Sequence, residues 1–129
     1  MIAVDTNLLV RFLVKDDEMQ YQKALMLFQQ ESIFIPDTVV LETEWVLRFA
    51  YEYLPTEIIA ALRRVFGLPN VTLTEPLLIA KALDWHELGL DFADALHLTK
   101  CEHVKTLKTF DGKFIKRSRG LSICKVSAP

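Results

Sequence analysis

The sequence predicts an α/β fold, a three-layer sandwich in which helices flank a central, mainly parallel sheet. Two observations support this prediction. Short segments of strand length alternate with longer stretches of helical spacing, and the connections between them are short. Strands of a parallel sheet with helices on both faces are apolar throughout, as the opening run is. A chain of 129 residues with 51% hydrophobic content fits one domain, residues 1–129.

Five short segments are the predicted strands. The opening run ends abruptly at Asp5, and Pro36 stops the second run because proline cannot donate to a sheet ladder. Asp111-Gly112 closes the fourth run. The predicted strands are the opening run and residues 33–35, 71–73, 104–110 and an edge strand at 122–126.

Helix start and stop signals lie between these strands. Asn7 and Asp37 are candidate N-caps, Pro55 opens a helix, and Gly67 and Gly89 end two helices. Acids at the start of the second helix are favourably placed near its positive end. The predicted helices cover residues 8–14, 16–31, 37–49, 55–66, 77–88, 91–98 and 113–119.

Four acids stand out. Asp5 and Asp111 follow predicted strands, although each could merely cap a helix or form a turn. Glu42 lies on a strongly apolar helix where a buried carboxylate needs a partner, whereas Glu44 is expected to face water. Asp94 shares its helix side with apolar residues and is expected to point inward.

Helices and strand ends can bring these four acids to one edge of the sheet. Converging carboxylates repel one another unless some bind protons or a cation neutralises them. Oxygen ligands favour Mg²⁺ or Mn²⁺, which can hold a phosphate and lower the pKa of a bound water. The predicted chemistry is therefore metal-assisted hydrolysis.

Other features restrict the location and the partners. The start of the chain lacks a signal-peptide pattern and no apolar run is long enough to span a membrane, so we expect a cytoplasmic protein. Cys101 and Cys124 lack metal-ligand spacing, so zinc is not expected.

Basic side chains are concentrated near the end of the chain. Residues 1–99 carry 7 basic and 15 acidic side chains, and residues 100–129 carry 8 basic and 2 acidic side chains. This basic tail could contact phosphates or could be merely solvated.

Four short motifs occur in order along almost the whole chain. They are Val4-Asp5-Thr6-Asn7-Leu8-Leu9, Leu41-Glu42 with Trp45-Val46-Leu47, Phe92-Ala93-Asp94-Ala95-Leu96 and Thr109-Phe110-Asp111-Gly112-Lys113-Phe114. In this pattern the sequence resembles PIN domains, most closely the VapC-like ribonuclease toxins of prokaryotic toxin-antitoxin pairs.

The resemblance implies metal-dependent cleavage of RNA phosphodiester bonds. By this likeness Asp5, Glu42, Asp94 and Asp111 form an acidic quartet for Mg²⁺ or Mn²⁺. Asn7 and Thr109 support the site, and Asp91 is a further candidate carboxylate. The resemblance also implies a homodimer and a cognate antitoxin protein. It favours RNA contacts by the basic tail, for which the candidates are Lys113, Lys116, Arg117 and Arg119.

Two rival functions stay open. In a non-catalytic PIN-like binding module, the acids would be caps or a docking surface for a basic partner. An aspartyl-phosphate phosphatase or receiver-type domain also places an acid after its first strand. The phosphatase pattern, however, requires a second Asp where Asn7 stands.

Overall fold

The computed structural model describes all residues, Met1–Pro129, as seven helices and five short strands. All strand pairings are parallel, which confirms the predicted α/β class. The chain divides into two compact units, Met1–Pro76 and Leu77–Pro129, and each unit contains its own sheet. None of the helices is long and apolar enough to cross a membrane.

The sheet of the first unit has the order β1-β2-β3. The strands are β1 (Ile2–Ala3), β2 (Ile33–Phe34) and β3 (Val71–Thr72). Ile2 pairs with Ile33, which pairs with Val71, so the three strands run in register. The Asn70 amide donates to the backbone carbonyls of Phe28 and Glu31, both at 2.7 Å, which ties the start of β3 to the segment before β2.

Four helices bury the apolar residues of this unit: α1 (Thr6–Val14), α2 (Glu18–Gln30), α3 (Asp37–Phe49) and α4 (Pro55–Phe66). Leu9, Leu47, Ile58 and Leu62 are fully buried. The rings of Phe12 and Phe28 stack with their centroids 4.0 Å apart, which joins α1 to α2. The apolar spacing of these helices thus forms a packed core.

The second unit contains α5 (Pro76–Glu87), α6 (Phe92–Thr99), β4 (Thr106–Lys108), α7 (Gly112–Arg117) and β5 (Lys125–Ser127). Strands β4 and β5 pair in parallel from Thr106↔Lys125 to Lys108↔Ser127. Phe92 and Leu98 are fully buried and Trp85 is 7% exposed, so all three belong to the core of this unit. Cys124 is buried, Cys101 is partly exposed, and both are free thiols.

The structure corrects several local predictions. The strands are two or three residues long, and the predicted strand 104–110 shortens to β4. Asp37 is the first residue of α3 and not its cap, because Pro36 occupies the N-cap position without a side-chain bond. Asn7 lies inside α1, whose N-cap is Asp5.

Candidate active site

Asp5 follows β1 closely and is the N-cap of α1. Its Oδ1 accepts a hydrogen bond from the Leu8 backbone N–H at 3.0 Å, and its side chain is exposed. The cap satisfies one of the free N–H groups at the helix start, which lie at the positive end of the helix dipole. Asp5 therefore has a structural role that leaves its second oxygen, Oδ2, outside this bond.

Glu42 is held by a side chain that is distant in sequence. The hydroxyl of Thr6, a buried residue of α1, donates to Glu42 Oε1 on α3. This hydrogen bond joins the residue after Asp5 to Glu42, so it positions the two carboxylates relative to each other. The sequence indicates Thr6 as a possible hydrogen-bond donor but not its acceptor, because no spacing signal reveals a contact across 36 residues.

The predicted burial of Glu42 and the predicted exposure of Glu44 are both wrong. Glu44 is 1% exposed, and Glu42 is exposed. The Arg48 guanidinium, one turn along α3, donates to both Glu44 oxygens at 2.9 and 3.1 Å. This bidentate ion pair compensates for the burial of the Glu44 charge. Glu42 therefore keeps access to a groove while Glu44 is structural.

Asp5 and Glu42 line one groove of about 560 Å³ in the first unit. The groove runs between α1 and α3, and its wall continues into the segment after α3. Its lining residues are Asp5, Thr6, Asn7, Val10, Arg11, Val39, Glu42, Trp45, Val46, Ala50 and Tyr51. Asn7, predicted to support the site, is thus placed in the same groove as Asp5 and Glu42.

A polar network at the wall of this groove was missed by the sequence prediction. Arg11 Nη1 donates to Tyr51 Oη at 2.8 Å and to Asp16 Oδ1 at 3.1 Å, and Arg11 Nε donates to Gln20 at 2.7 Å. The Tyr51 hydroxyl donates to Asp16 at 2.9 Å. This hydrogen bond, followed by the charge of Arg11, lowers the pKa of Asp16. The network fixes α1 to the segment that follows α3.

The second unit groups the other predicted acids. Asp91 is the N-cap of α6, and its Oδ2 accepts from the Asp94 backbone N–H at 3.2 Å. Burial raises the pKa of the Asp94 carboxyl, and the charges of Asp91 and Asp111 raise it further, while His97 acts in the opposite direction. Asp94 is half-buried, as the sequence prediction required. The negative charges of Asp91 and Asp111 therefore both act on Asp94.

Asp111 caps α7. Its Oδ1 accepts from the Lys113 and Phe114 backbone N–H groups at 2.9 and 3.3 Å. The Thr109 hydroxyl accepts from the Asp111 backbone N–H at 3.0 Å, so Thr109 fixes the turn that presents Asp111. Thr109 and Asp111 therefore both lie in the turn between β4 and α7.

The predicted RNA contacts lie on α7 or directly after it, and all four are exposed. Arg117 donates to the Gly89 carbonyl at 3.2 Å, which connects α7 to the turn before α6. The exposed side chains of Lys113, Lys116 and Arg119 are accessible to a phosphate backbone.

The donor chemistry of these acids fits a hard divalent cation, because every side-chain ligand among them is a carboxylate oxygen. No group of three or more His, Cys, Asp or Glu side chains in the structure is arranged to hold a metal ion. The structure places Asp5 with Glu42, and it places Asp94 near Asp91 and Asp111. The meeting of these two sets at one metal ion stays a prediction.

These features define an α/β protein with parallel strands and carboxylates presented at helix N-termini. The PIN domain family model matches residues 2–120, and the chain belongs to this family. PIN domains are generally nucleases, so the chain has a nuclease-type fold. Neither the curated proteins nor the solved structures include a significant match to the chain.

Proposed function

We propose that residues 1–129 act as a single PIN domain that hydrolyses RNA phosphodiester bonds as a Mg²⁺- or Mn²⁺-dependent endoribonuclease. In this proposal Asp5, Glu42, Asp94 and Asp111 are the catalytic metal ligands. The observation that carries it is the Thr6–Glu42 hydrogen bond, which brings acids from β1–α1 and from α3 to one groove. Family membership supports nuclease chemistry at such acids.

The residues of the chain would prepare the acids for the ion. Thr6 orients Glu42, the cap of α1 orients Asp5, and Thr109 fixes the turn that presents Asp111. Asp91 adds charge near Asp94 and is the candidate extra carboxylate. A bound divalent ion supplies an activated water and neutralises negative charge on the phosphate.

The proposed biological role is that of a VapC-like toxin in a toxin-antitoxin pair. A homodimer, a cognate antitoxin protein and a cytoplasmic location belong to this proposal. Its support is the resemblance of the four motifs. Expression of the chain alone should then arrest growth, and a catalytically inactive variant should not.

A non-catalytic binding module is the second candidate. One observation favours it: Asp5, Asp91 and Asp111 are all N-caps, so each has a structural reason to be an acid. In that case the carboxylates would serve helix stability and a basic partner, and the chain would cleave nothing.

The deciding experiment is RNA cleavage by the purified full chain with Mg²⁺, Mn²⁺ or EDTA. We expect cleavage with either metal, none with EDTA, and a loss of at least about 100-fold for Asp5→Asn because a metal ligand is removed. Asp17→Asn is the matched control, because Asp17 caps α2 through an equivalent 3.0 Å bond to Gln20 and lies outside the groove. Cleavage that persists in EDTA, or equal effects of the two variants, would contradict the proposal.

A further inference from the structure

Two large aromatic side chains of α3 lie in solvent. Trp45 is 55% exposed and Phe49 is 58% exposed, although Trp85 is 7% exposed in the same chain. Their ring centroids are 5.1 Å apart and the rings are tilted by 44°. The pair is therefore not stacked face to face. Two adjacent exposed aromatic rings form an apolar patch, and such patches are often binding sites.

Only Trp45 of this pair belongs to the groove that contains Asp5 and Glu42. Glu42 and Trp45 are three residues apart on α3 and therefore lie on the same side of the helix. Phe49 lies one turn further along, outside the groove lining, and the Arg48 guanidinium is 4.6 Å from its ring centroid. The two rings are therefore similarly exposed, but only the Trp45 ring lines the groove.

The chemistry of the groove favours a nucleobase as the partner of Trp45. Its lining is mixed: Asp5, Thr6, Asn7, Arg11, Glu42 and Tyr51 are polar, and Val10, Val39, Trp45, Val46 and Ala50 are apolar. A wholly apolar occupant would desolvate the Asp5 and Glu42 carboxylates without compensation. A base has an apolar face for the indole and polar edges for the neighbouring side chains.

We propose that Trp45 is a stacking platform for an unpaired base of the RNA next to the scissile phosphate, preferably a purine, because its two fused rings cover more of the indole. This inference rests on the proposed ribonuclease function and assigns to Trp45 the selection of the base at the cleavage position. Duplex RNA cannot present a base face to Trp45 without unpairing. Trp45 is then a determinant of substrate choice and not a catalytic residue.

The test measures RNA binding through Trp45 fluorescence. Trp85→Phe leaves Trp45 as the single indole, and Asp94→Asn prevents cleavage during the titration. The probes are an oligoadenylate, an oligouridylate of equal length, an abasic ribose-phosphate oligomer and the oligoadenylate in a duplex. If Trp85→Phe fails to fold, Trp85 is retained. The fluorescence of the Trp45→Phe variant is then subtracted from that of the chain with both tryptophans, which leaves the Trp45 signal.

We expect strong quenching by oligoadenylate, weaker quenching by oligouridylate and none by the abasic or duplex probes. Trp45→Ala should weaken oligoadenylate binding about 10-fold with an unchanged salt slope, because stacking releases no counterions. Trp45→Phe should retain most of the affinity. The matched control Phe49→Ala should change affinity by less than about twofold, since surface changes away from a contact have small effects.

Equal losses from Trp45→Ala and Phe49→Ala, or equal quenching by the abasic probe, would overturn the platform. A third outcome is that both variants bind RNA as the wild type does but change the oligomeric state. That result would assign this face to contact between copies of the chain and would also overturn the platform. Base-dependent quenching in a chain that cleaves no RNA would sustain the platform and refute the proposed function. The two failures are therefore distinguishable.

Discussion

At the residue scale, Glu42 and Glu44 of α3 each have the environment that was predicted for the other. Apolar neighbours in the sequence suggested that Glu42 is buried, but Glu44 is buried and Glu42 borders the groove. The reason is specific pairing. Arg48 neutralises Glu44 one turn along the helix, and Thr6 supplies Glu42 with a donor from another element.

Asp94 is the predicted site acid whose ionisation is opposed by its surroundings. Its pKa in the folded chain lies above the ordinary value of 3.8 because burial and the charges of Asp91 and Asp111 oppose its negative form. The folded chain then binds the Asp94 proton more tightly than the unfolded chain does. The tighter binding of this proton stabilises the folded chain at low pH. That stabilisation is lost as the pH rises from the ordinary pKa of Asp94 through its raised pKa.

We predict that Asp94→Asn melts at a higher temperature than the wild type at pH 7 in EDTA, because the amide removes a charge from a crowded site. At a pH below the ordinary value of 3.8 the difference should shrink, since the wild-type carboxyl is then protonated. Addition of Mg²⁺ should raise the melting temperature of the wild type more than that of the variant. Thermal denaturation followed by circular dichroism measures all three. A lower melting temperature for Asp94→Asn at pH 7 would contradict this account.

At the element scale, helix N-termini present three of the acids. Asp5, Asp91 and Asp111 each begin a helix and each bond to a backbone N–H of its first turn. A cap fixes the carboxylate by a bond to one oxygen and stabilises its charge through the helix dipole. The capping and functional interpretations of these acids are therefore compatible, although the sequence presents them as alternatives.

Substitutions at Asp111 separate the two roles. Asp111→Asn preserves a good N-cap and removes the charge, so we expect near wild-type stability and a loss of RNA cleavage. Asp111→Ala removes both and should also cost about 1 kcal/mol in the free energy of unfolding. Urea denaturation and RNA cleavage measure the two quantities. Full activity of Asp111→Asn would show that Asp111 serves only as a cap.

At the scale of the whole molecule, charge is divided along the chain. Met1–Pro76 carries 6 basic and 11 acidic side chains, whereas Leu77–Pro129 carries 9 and 6. Cations of the second unit are therefore the candidates for phosphate contacts, while the base contact that we propose lies in the groove of the first unit. This division gives the two units different expected salt responses.

We predict that the double variant Lys113→Glu/Lys116→Glu binds single-stranded RNA more weakly and with a shallower salt dependence. The slope of log affinity against log salt concentration should fall by about 0.7 for each phosphate that the variant no longer neutralises. Lys105→Glu/Lys125→Glu is the matched control, with the same charge change on exposed residues before β4 and in β5. Identical slopes for both double variants would mean that α7 has no special contact with RNA.

The sequence by itself determined the α/β class, the parallel strands, the order of the elements and the family, because apolar periodicity and short motifs are local properties. It also singled out Asp5 and Asp111, since both follow predicted strands. The tertiary structure decided which α3 acid is buried, that Thr6 holds Glu42, and that Arg11, Asp16 and Tyr51 form one network. These contacts depend on side chains from separate elements that are brought together by packing, and no local pattern encodes them.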